Sequence, residues 1–523
     1  MPKVKINGKE VEVAAGSTII QAFKASGQEI CHYCWHPGLS VAGVCRLCMV
    51  QIEGMPKLQI ACNTEVKEGM VINNTSPMVK ETVQWGLDFH LINHPLDCPI
   101  CDQAGECGLQ DQYMQFGKYD PQMAEAKVKK HKVIDLGPTV VLDSERCILC
   151  SRCVRFTDEV SKTNELGIFN RGDRSEIGCV EGKPLNNNYS LNTVDICPVG
   201  ALTSKDFRFR QRVWYLKEAD SICPGCSTGC NVKVSYNEEG LWRIKPRENK
   251  EVNGHWMCDT GRDSYKFVNL KARLLAGKIG KRDSWQDVAV ADAARSAGLK
   301  LRETVEKHGA DSVALVLTGQ YTNEEYADIL KFFTGTLKSK NVYHWLNNPE
   351  KVNEFDGLLF RGDRNPNTKG LEAAMKNSGA AAGPTSGKWE TLQSQLASKK
   401  VKVVLVAGPE NQATFPDLNE KIKMLQQAET LVWMTAGHNA TLDQAGSETW
   451  QIPLKTYIEK AGSFTNFQGK VQSFKAGTTI VPQALTLSEA AMLLSGHDID
   501  WNLRPKGLGG PKTNYSITQR GTL

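Results

Sequence analysis

The chain has 523 residues with 17 cysteines, and its formal net charge is +5. So small a charge over this length argues against a nucleic-acid-binding protein, and no apolar run approaches the roughly 18 residues of a membrane span. The first residues do not resemble an export signal, so we expect a reducing compartment, where cysteines serve mostly as metal ligands or free thiols. All of the cysteines lie between Cys31 and Cys258, which divides the chain into a cysteine-rich half and a cysteine-free half.

The first predicted element is a β-hairpin at the N-terminus. Apolar and polar side chains alternate from Val4 to Val13 around Asn7-Gly8, a dipeptide typical of two-residue hairpin turns.

The first cysteine group has a spacing similar to that of [2Fe–2S] ferredoxins. A C-x10-C-x2-C run is followed by a distant fourth cysteine, and its members are Cys34, Cys45, Cys48 and Cys62. A plant-type site has the same order but a first gap of about four residues, so this loop is a variant. The flanking segments look like short strands, which favours a ferredoxin-like β-grasp. Cys31 is a fifth thiol nearby; we interpret it as a packed or free thiol, with ligation as the alternative.

The second group follows a predicted helix. Apolar residues at helical spacing run from Val79 to Leu91, Ser76-Pro77 suits the helix start, and Pro95 suits its end, which places a histidine at the helix end. The ligand candidates, spaced H-x3-C-x2-C-x5-C, are His94, Cys98, Cys101 and Cys107. The residues alone leave three interpretations open: a zinc site, an iron–sulfur cluster with one imidazole ligand, or a disulfide knot beside an uninvolved histidine.

The third group is typical of a four-iron ferredoxin site. Its C-x2-C-x2-C run is followed, much later in the chain, by a Cys-Pro pair, and its members are Cys147, Cys150, Cys153 and Cys197. Zinc sites prefer paired C-x2-C knuckles separated by a longer segment, so the pattern favours iron. Cys179 is left over, and we predict a structural role for it.

The fourth group has the spacing C-x2-C-x3-C-x27-C. Its members are Cys223, Cys226, Cys230 and Cys258. Alternating apolar residues between Val232 and Ile244 predict a small β module around the site. On spacing alone, zinc remains an alternative to iron here.

The order of these four groups resembles the large iron–sulfur subunit of respiratory NADH:quinone oxidoreductases, the G-type subunit of bacterial complex I. The segments that carry the resemblance are CWHP (34–37), HPLDCPICDQAGECGLQD (94–111), CILCSRCVRF (147–156) and ICPVGALTSK (196–205). The resemblance extends from residue 1 to about residue 265. It implies one [2Fe–2S] cluster and three [4Fe–4S] clusters held by the four groups in turn, with His94 as the imidazole ligand of the second.

The resemblance also implies a function and partners. The chain would carry electrons from an FMN-containing, NADH-oxidising flavoprotein subunit toward quinone, together with other iron–sulfur subunits of the peripheral arm. It would lie on the cytoplasmic face of a bacterial inner membrane, without a membrane span and without nucleic acid. The alternatives are the equivalent subunit of an NAD-linked hydrogenase or formate dehydrogenase, and a zinc-knotted scaffold. No G-x-G-x-x-G follows a strand, so we expect no NADH site here. No Ser-His-Asp or paired-carboxylate arrangement can be argued, so we expect no catalytic residue, and we expect no quinone site in this chain.

The cysteine-free half has an α/β pattern. Residues 311–319, 401–409 and 429–437 are apolar runs typical of buried parallel strands. Thr322 and Glu325 form a predicted capping box at the helix that follows the first of them. We therefore predict a doubly wound sheet.

Residues 451–472 resemble a segment that lines the cofactor site of molybdopterin oxidoreductases. The matching positions are Glu459, Gly462, Asn466, Gly469 and Gln472. This half is shorter than a complete molybdopterin-binding region and has no cysteine for molybdenum, so we expect a scaffold without molybdopterin. The basic, Gly- and Pro-rich residues 501–523 suggest an extended arm.

Together these patterns predict an α+β multidomain chain. An N-terminal ferredoxin-like β-grasp and further iron–sulfur modules would precede a reduced α/β domain of the molybdopterin-oxidoreductase type. The predicted domains are 1–78 for the [2Fe–2S] site, 79–135 for the His94 group, 136–215 for the ferredoxin-type site, 216–272 for the fourth group, and 273–523 for the scaffold with its arm.

Overall fold

A computed structural model describes residues 1–120, 126–269, 271, 273–380 and 386–503 of the chain. The chain forms two compact units, Met1–Tyr215 and Leu216–Leu523. None of the described helices is long and apolar enough to cross a membrane. The predicted C-terminal arm lies, from residue 504 onward, outside the described residues.

The first unit contains ten strands and five helices among its described residues. Its strands are β1 (Lys3–Ile6), β2 (Lys9–Glu12), β3 (Met49–Ile52), β4 (Gln59–Ile60), β5 (Val71–Asn73), β6 (Ile134–Asp135), β7 (Val140–Leu142), β8 (Leu166–Phe169), β9 (Glu176–Cys179) and β10 (Leu202–Ser204). Its helices are α1 (Ile19–Ser26), α2 (Pro77–Leu91), α3 (Gly108–Phe116), α4 (Arg152–Arg155) and α5 (Asn192–Asp195). The strands form one five-stranded sheet, a three-stranded sheet and a two-stranded ribbon.

The N-terminal hairpin is confirmed. β1 and β2 pair antiparallel around Asn7 and Gly8, whose φ angles of 48° and 84° suit a tight hairpin turn. The five-stranded sheet has the order β2-β1-β5-β3-β4, with β1 and β5 parallel. Helix α1 contributes Ile19 and Phe23 to the core beneath this sheet, so the apolar positions of the hairpin face a helix.

The helix predicted before the second cysteine group is confirmed, but it ends before the histidine. Helix α2 begins at Pro77 with Ser76 as its N-cap residue, and it ends at Leu91 rather than at His94. The Nζ of Lys127 donates to the carbonyls of Leu91 and Ile92, at 2.9 and 3.1 Å, and so satisfies two terminal acceptors that the helix itself cannot.

The second unit contains a small antiparallel sheet and a large mixed sheet. Its strands are β11 (Lys217–Ile222), β12 (Asn231–Asn237), β13 (Gly240–Pro246), β14 (Gly277–Gly280), β15 (Gln286–Val288), β16 (Val313–Thr318), β17 (Val342–Trp345), β18 (Val403–Ala407), β19 (Thr430–Thr435), β20 (Glu448–Pro453), β21 (Gly462–Thr465) and β22 (Val471–Phe474). Its helices are α6 (Asp259–Arg262), α7 (Val290–His308), α8 (Asn323–Leu330), α9 (Thr368–Asn377), α10 (Ser386–Ala397), α11 (Leu418–Leu425), α12 (Ala440–Asp443) and α13 (Leu487–Leu494). A π-helical turn, Lys331–Thr336, follows α8 in this unit, and another, Phe156–Val160, follows α4 in the first unit.

The large sheet has the order β15-β14-β20-β19-β18-β16-β17. Its five parallel strands, β16 to β20, stand in the spatial order 2-1-3-4-5 of a doubly wound fold. Alternate residues of each central strand enter different cores: Leu315 packs with α7, α8, α9 and α13, whereas Val316 packs with α10 and α11. Burial on both faces explains the unbroken apolar runs of these strands.

The predicted capping box of the cysteine-free half is also present. Thr322 Oγ1 accepts from the backbone N–H of Glu325, and the Glu325 carboxylate accepts from the backbone N–H of Thr322. Both residues are buried, so the cap also fixes where α8 leaves the sheet.

Candidate metal centres

All 17 cysteines lie within the described residues, and all are free thiols. The disulfide interpretation of the second group is therefore not what the structure shows. Among the residues described, no three His, Cys, Asp or Glu side chains form a group that could hold a single metal ion. A four-iron cluster makes a different demand, because each of its ligands binds a separate iron atom and the ligands stand around a space rather than a point.

The four cysteines of the first group are all buried. They lie in two hydrogen-bonded pairs, Cys34 with Cys45 and Cys48 with Cys62. The hydrogen bond from Cys45 lowers the pKa of the Cys34 thiol to about 5, and the bond from Cys48 lowers the pKa of Cys62, while the same bonds raise the pKa of the donors Cys45 and Cys48. The structure thus brings together all four predicted ligands of the [2Fe–2S] site and favours the thiolate form, which binds metal, at two of them.

The predicted ligands of the second group surround one cavity of about 260 Å³. Its wall includes His94, Cys98, Cys101 and Cys107, and also Arg146 and Gly200. Cys98 is exposed and Cys101 partly so, whereas Cys107 is buried at the start of α3. A Cβ atom on Gly200 would overlap the sulfur of Cys101, so glycine keeps this wall open.

His94 has the properties of a neutral ligand. Burial, followed by the positive charges of Arg146 and Lys127, lowers the pKa of its imidazole to about 4. Its Nδ1 atom is buried and has no hydrogen-bond partner in the described part of the chain. A neutral ring with an unpartnered nitrogen suits iron, because a protonated imidazole cannot bind a metal.

Ion pairs and arginine contacts hold the loop of the second group in place. The Asp97 carboxylate accepts from Lys132 at 2.6 Å and from Arg146 at 2.9 Å. These hydrogen bonds, with that from Lys132 the largest cause, lower the pKa of Asp97. Arg212 donates to the carbonyls of Cys101 and Pro99 at 2.7 and 2.8 Å, which fixes the turn that carries two of the three thiols.

The predicted ligands of the third group line a single small cavity with an apolar wall. Cys147, Cys150, Cys153 and Cys197 all contribute to it, although the last lies far along the chain from the first three. Burial raises the pKa of Cys150 to about 11, so these thiols lose their protons only when a metal replaces them. The backbone N–H of Leu149 donates to the sulfur of Cys147 at 3.4 Å, a contact of the kind that tunes cluster potentials.

All four cysteines of the fourth group are buried, and their mutual electrostatic effects show that they lie close together. The first three belong to the turn between β11 and β12, where the N–H of Cys223 donates to the carbonyl of Cys230 at 2.8 Å. Cys258 is the N-cap of α6, and its sulfur accepts from the N–H of Gly261 at 3.2 Å. The antiparallel sheet β11-β12-β13 is the β module that the sequence predicted.

Two glycines leave room beside these sulfurs. A Cβ atom on Gly261 would lie 3.1 Å from the sulfur of Cys223 and 3.2 Å from that of Cys258. A Cβ atom on Gly225 would lie 3.4 Å from the Cys223 sulfur. Because glycine has no side chain, the space beside the sulfurs stays free. Four thiol donors around free space fit a sulfur-ligated iron cluster.

The two remaining thiols make other contacts. The sulfur of Cys31 donates to the side-chain carbonyl of Gln112 at 2.9 Å, and that of Cys179 donates to the backbone carbonyl of Leu136 at 3.3 Å. Burial raises the pKa of both thiols. These contacts favour the predicted structural roles.

The molybdopterin-type segment packs against the fourth group. Gln472 accepts from Asn231 at 2.6 Å and donates to the carbonyl of Gly229 at 2.9 Å. Asn466 accepts two backbone N–H groups of its own loop. Glu459 is buried and pairs with Arg273 at 2.8 Å. The polar side chains of this segment are thus used in contacts within the protein.

Comparison with known families agrees with the order of the four groups. Residues 2–77 match a 2Fe-2S iron-sulfur cluster binding domain, and residues 86–121 match an NADH-ubiquinone oxidoreductase-G iron-sulfur binding region. Residues 137–203 match the ferredoxin-like domain of NADH-quinone oxidoreductase subunit 3, and residues 216–270 match a molybdopterin oxidoreductase Fe4S4 domain. The chain is a relative of the large iron–sulfur subunits of NADH-quinone oxidoreductases.

Curated relatives support this relationship. The NADH-quinone oxidoreductase G subunit of Rickettsia conorii is 34% identical over 82% of this chain and 63% of its own length. The mitochondrial NADH-ubiquinone oxidoreductase 78 kDa subunit of Neurospora crassa is 38% identical over 65% of this chain and 45% of its own. The matches to these two relatives thus span less than two thirds of the relatives' lengths. A solved NAD+-reducing [NiFe]-hydrogenase chain overlaps 40% of this chain and 91% of its own, with 26% identity and a TM-score of 0.37.

Sequence reasoning missed the residues that surround the ligands. Arg146 of the second site and Gly261 of the fourth belong to no metal-binding motif, and Gly200 lies in the segment 196–205 without a predicted role. Arg152 lies inside the C-x2-C-x2-C run. A positive charge between predicted thiolate ligands was a sequence signal that could have pointed to a residue acting on the cluster.

Proposed function

We propose that this chain is an electron-transfer subunit of an NADH-quinone oxidoreductase. It would carry electrons from an NADH-oxidising flavoprotein subunit through iron–sulfur clusters toward quinone. The observation that carries the proposal is the coincidence of four predicted ligand groups with four family matches in the same order. The convergence of Cys197 with the C-x2-C-x2-C run around one cavity, and the closeness of Cys258 to the earlier three thiols of its group, support the proposal.

The proposed ligands follow the groups already described. Cys34, Cys45, Cys48 and Cys62 would hold one [2Fe–2S] cluster. His94, Cys98, Cys101 and Cys107 would hold a [4Fe–4S] cluster with one imidazole ligand. Two further [4Fe–4S] clusters would be held by Cys147, Cys150, Cys153 and Cys197, and by Cys223, Cys226, Cys230 and Cys258. The clusters supply one-electron transfer when bound.

The protein's own residues would space these groups, shield them from water and set their potentials. A neutral ligand in place of a thiolate removes one negative charge from the second site, and Arg146 adds a positive charge to its wall. An apolar cavity wall would limit water at the third site, and the burial of all four cysteines would limit it at the fourth. No step of bond making on an organic substrate is assigned to this chain, and neither NADH nor quinone would bind it.

The proposed partners are the FMN-containing flavoprotein subunit and the other iron–sulfur subunits of the peripheral arm. The proposed location is the cytoplasmic face of a bacterial inner membrane, as a peripheral part of a membrane complex. The large α/β region would be a scaffold without molybdopterin. Its support is that Glu459, Asn466 and Gln472 are engaged in contacts within the protein.

Anaerobic purification from membranes tests the proposal. We expect about 14 iron atoms per chain with matching acid-labile sulfide, no stoichiometric molybdenum or tungsten, and co-purification of a flavoprotein. A colourless, zinc-containing preparation would contradict the proposal. Co-purification with a hydrogenase or formate dehydrogenase would show that the chain serves that enzyme and not an NADH-quinone oxidoreductase. Stoichiometric molybdenum that disappears when residues 273–523 are deleted would overturn the scaffold assignment.

A further inference from the structure

One arginine side chain spans the first and third ligand groups. The guanidinium of Arg152, the first residue of α4, donates from Nη2 to the carbonyl of Trp35 at 2.7 Å. It donates from Nη1 to the carbonyl of Ile196 at 3.0 Å. Trp35 follows Cys34 of the [2Fe–2S] group, and Ile196 precedes Cys197 of the ferredoxin-type group. A single planar side chain is therefore hydrogen-bonded to both ligand loops.

This arginine has no carboxylate partner among the described residues, where its hydrogen bonds go to those two backbone carbonyls. Its side chain is only partly exposed, and its Nε atom is shielded from solvent without a partner. The charges that act favourably on it come from Cys150, Cys197 and Cys34, which belong to both groups. Its neighbour Arg155 donates to the carbonyls of Cys34 and Cys150, so a second arginine also contacts ligand loops of both groups.

A partly buried cation without a counter-charge is unfavourable, because it loses hydration and gains no ion pair. Arginine stays protonated in proteins, so the charge is not removed by titration. Bound cysteines are thiolates, and a sulfur-ligated cluster becomes more negative by one charge on reduction. A fixed positive charge between two such groups stabilises the reduced form of each.

We propose that Arg152 is the shared counter-charge of the [2Fe–2S] group and the ferredoxin-type group, and that it raises the reduction potentials of both. This inference rests on the proposed function, since it requires clusters at both sites. The guanidinium fork suits the role because its donors reach two loops at once, while the delocalised charge lies between them.

The test is an anaerobic redox titration of the intact complex, followed by EPR, for the wild type and three variants. In Arg152→Gln we expect both midpoint potentials to fall, each by at least the equivalent of a tenfold change in the one-electron equilibrium constant, which is about 59 mV. In Arg152→Lys the positive charge is kept, but the lysine ammonium can reach only one of the two loops. Both potentials should therefore fall less than in Arg152→Gln, and the two decreases should be unequal. Arg174→Gln, on an exposed arginine of the same unit, should change neither potential.

The signal of the His94 group serves as an internal reference, because Arg152 does not line its cavity. Unchanged potentials in Arg152→Gln, or a shift confined to one of the two groups, would overturn the proposal. If that variant fails to assemble a cluster, Arg152→Lys decides, and wild-type potentials at both groups in it would overturn the proposal. A wild-type complex without iron–sulfur signals would instead contradict the proposed function, which keeps the two failures distinct.

Discussion

The His94 group and the Cys223 group have the same number of predicted ligands but opposite surroundings. In the His94 group, Cys98 is exposed and the ligands surround an open cavity. In the Cys223 group, all four cysteines are buried beneath a glycine-rich turn, a short helix and the molybdopterin-type segment.

The difference shows two ways of holding a charged group. At the His94 site, a neutral imidazole and nearby cations reduce the net negative charge, and the exposed Cys98 leaves the site open to water. At the Cys223 site, all four cysteines are shielded from water and glycines leave room beside the sulfurs, so the stability of the site depends on packing. Under the proposed function, the first site would suit electron exchange with a partner, because electron transfer requires close approach. The second suits a group enclosed by its own chain.

The largest effect is expected from His94→Ala. Loss of the imidazole leaves three thiolates around the cavity, so one four-iron EPR signal should vanish or change while the [2Fe–2S] signal persists. The iron content should fall by about four atoms per chain if the cluster is lost. His94→Cys should keep a cluster at a lower potential, because it adds a negative charge.

The matched control for this change is His131→Ala, which alters an exposed histidine outside the cavity. If His94→Ala left every cluster signal unchanged, imidazole ligation would be wrong.

A smaller but selective loss is expected from Gly261→Ala. The added methyl group would lie 3.1 and 3.2 Å from the sulfurs of Cys223 and Cys258, so it should lower the occupancy of the buried site alone. Gly446→Ala is the control, because a Cβ atom there meets nothing within 4 Å. EPR and iron analysis of the two variants provide the measurement. Equal occupancy in both would mean that crowding at these sulfurs does not matter.

A chelator should remove iron from the His94 site and from the Cys223 site at different rates. When the isolated, oxidised chain is treated with an iron chelator, we expect the His94 cluster to be lost several-fold faster than the Cys223 cluster. The exposed Cys98 can be displaced directly, whereas buried cysteines are released only after local opening. EPR at timed intervals gives the order of loss, and the reverse order would break the contrast between an open and an enclosed site.

The smallest effect concerns pH and the packing of the large α/β region. Burial, the largest cause, raises the pKa of Glu410 to about 7 against an ordinary value of 4.5, although Lys460 opposes the shift and Glu325 adds to it. The protonated Glu410 carboxyl contributes to the free energy of unfolding. This contribution is fully present below pH 4.5 and is lost as pH rises through about 7. Glutamine cannot lose a proton, so we expect Glu410→Gln to become more stable relative to wild type between pH 5 and pH 7. The difference in the free energy of unfolding should change by on the order of 2 kcal/mol over this range, and the melting temperatures of the two proteins report its direction.

Glu420→Gln, at an exposed glutamate of α11, is the control and should show no such trend. A constant difference between Glu410→Gln and wild type over this range would show that the buried carboxyl does not titrate there.

Local spacing was enough to predict much of the fold. The hairpin at Asn7-Gly8, the capping box of Thr322 and Glu325, and the parallel strands of the large sheet follow from patterns within a few residues. The end of α2 was missed by three residues, because Pro95 marks only where a helix must stop and not where it does. Domain boundaries and ligand assignments remain predictions.

The sequence by itself determined which side chains could bind iron, since ligand type and spacing are written along the chain. Only the tertiary structure decided what surrounds them. It buried His94 near Arg146 and Lys127, which lowers the pKa of the imidazole, set Gly200 against Cys101, and extended Arg152 between two ligand loops. The physical reason is that these charges and close approaches join residues far apart in sequence, and the separations that set their strength exist only once the chain has folded.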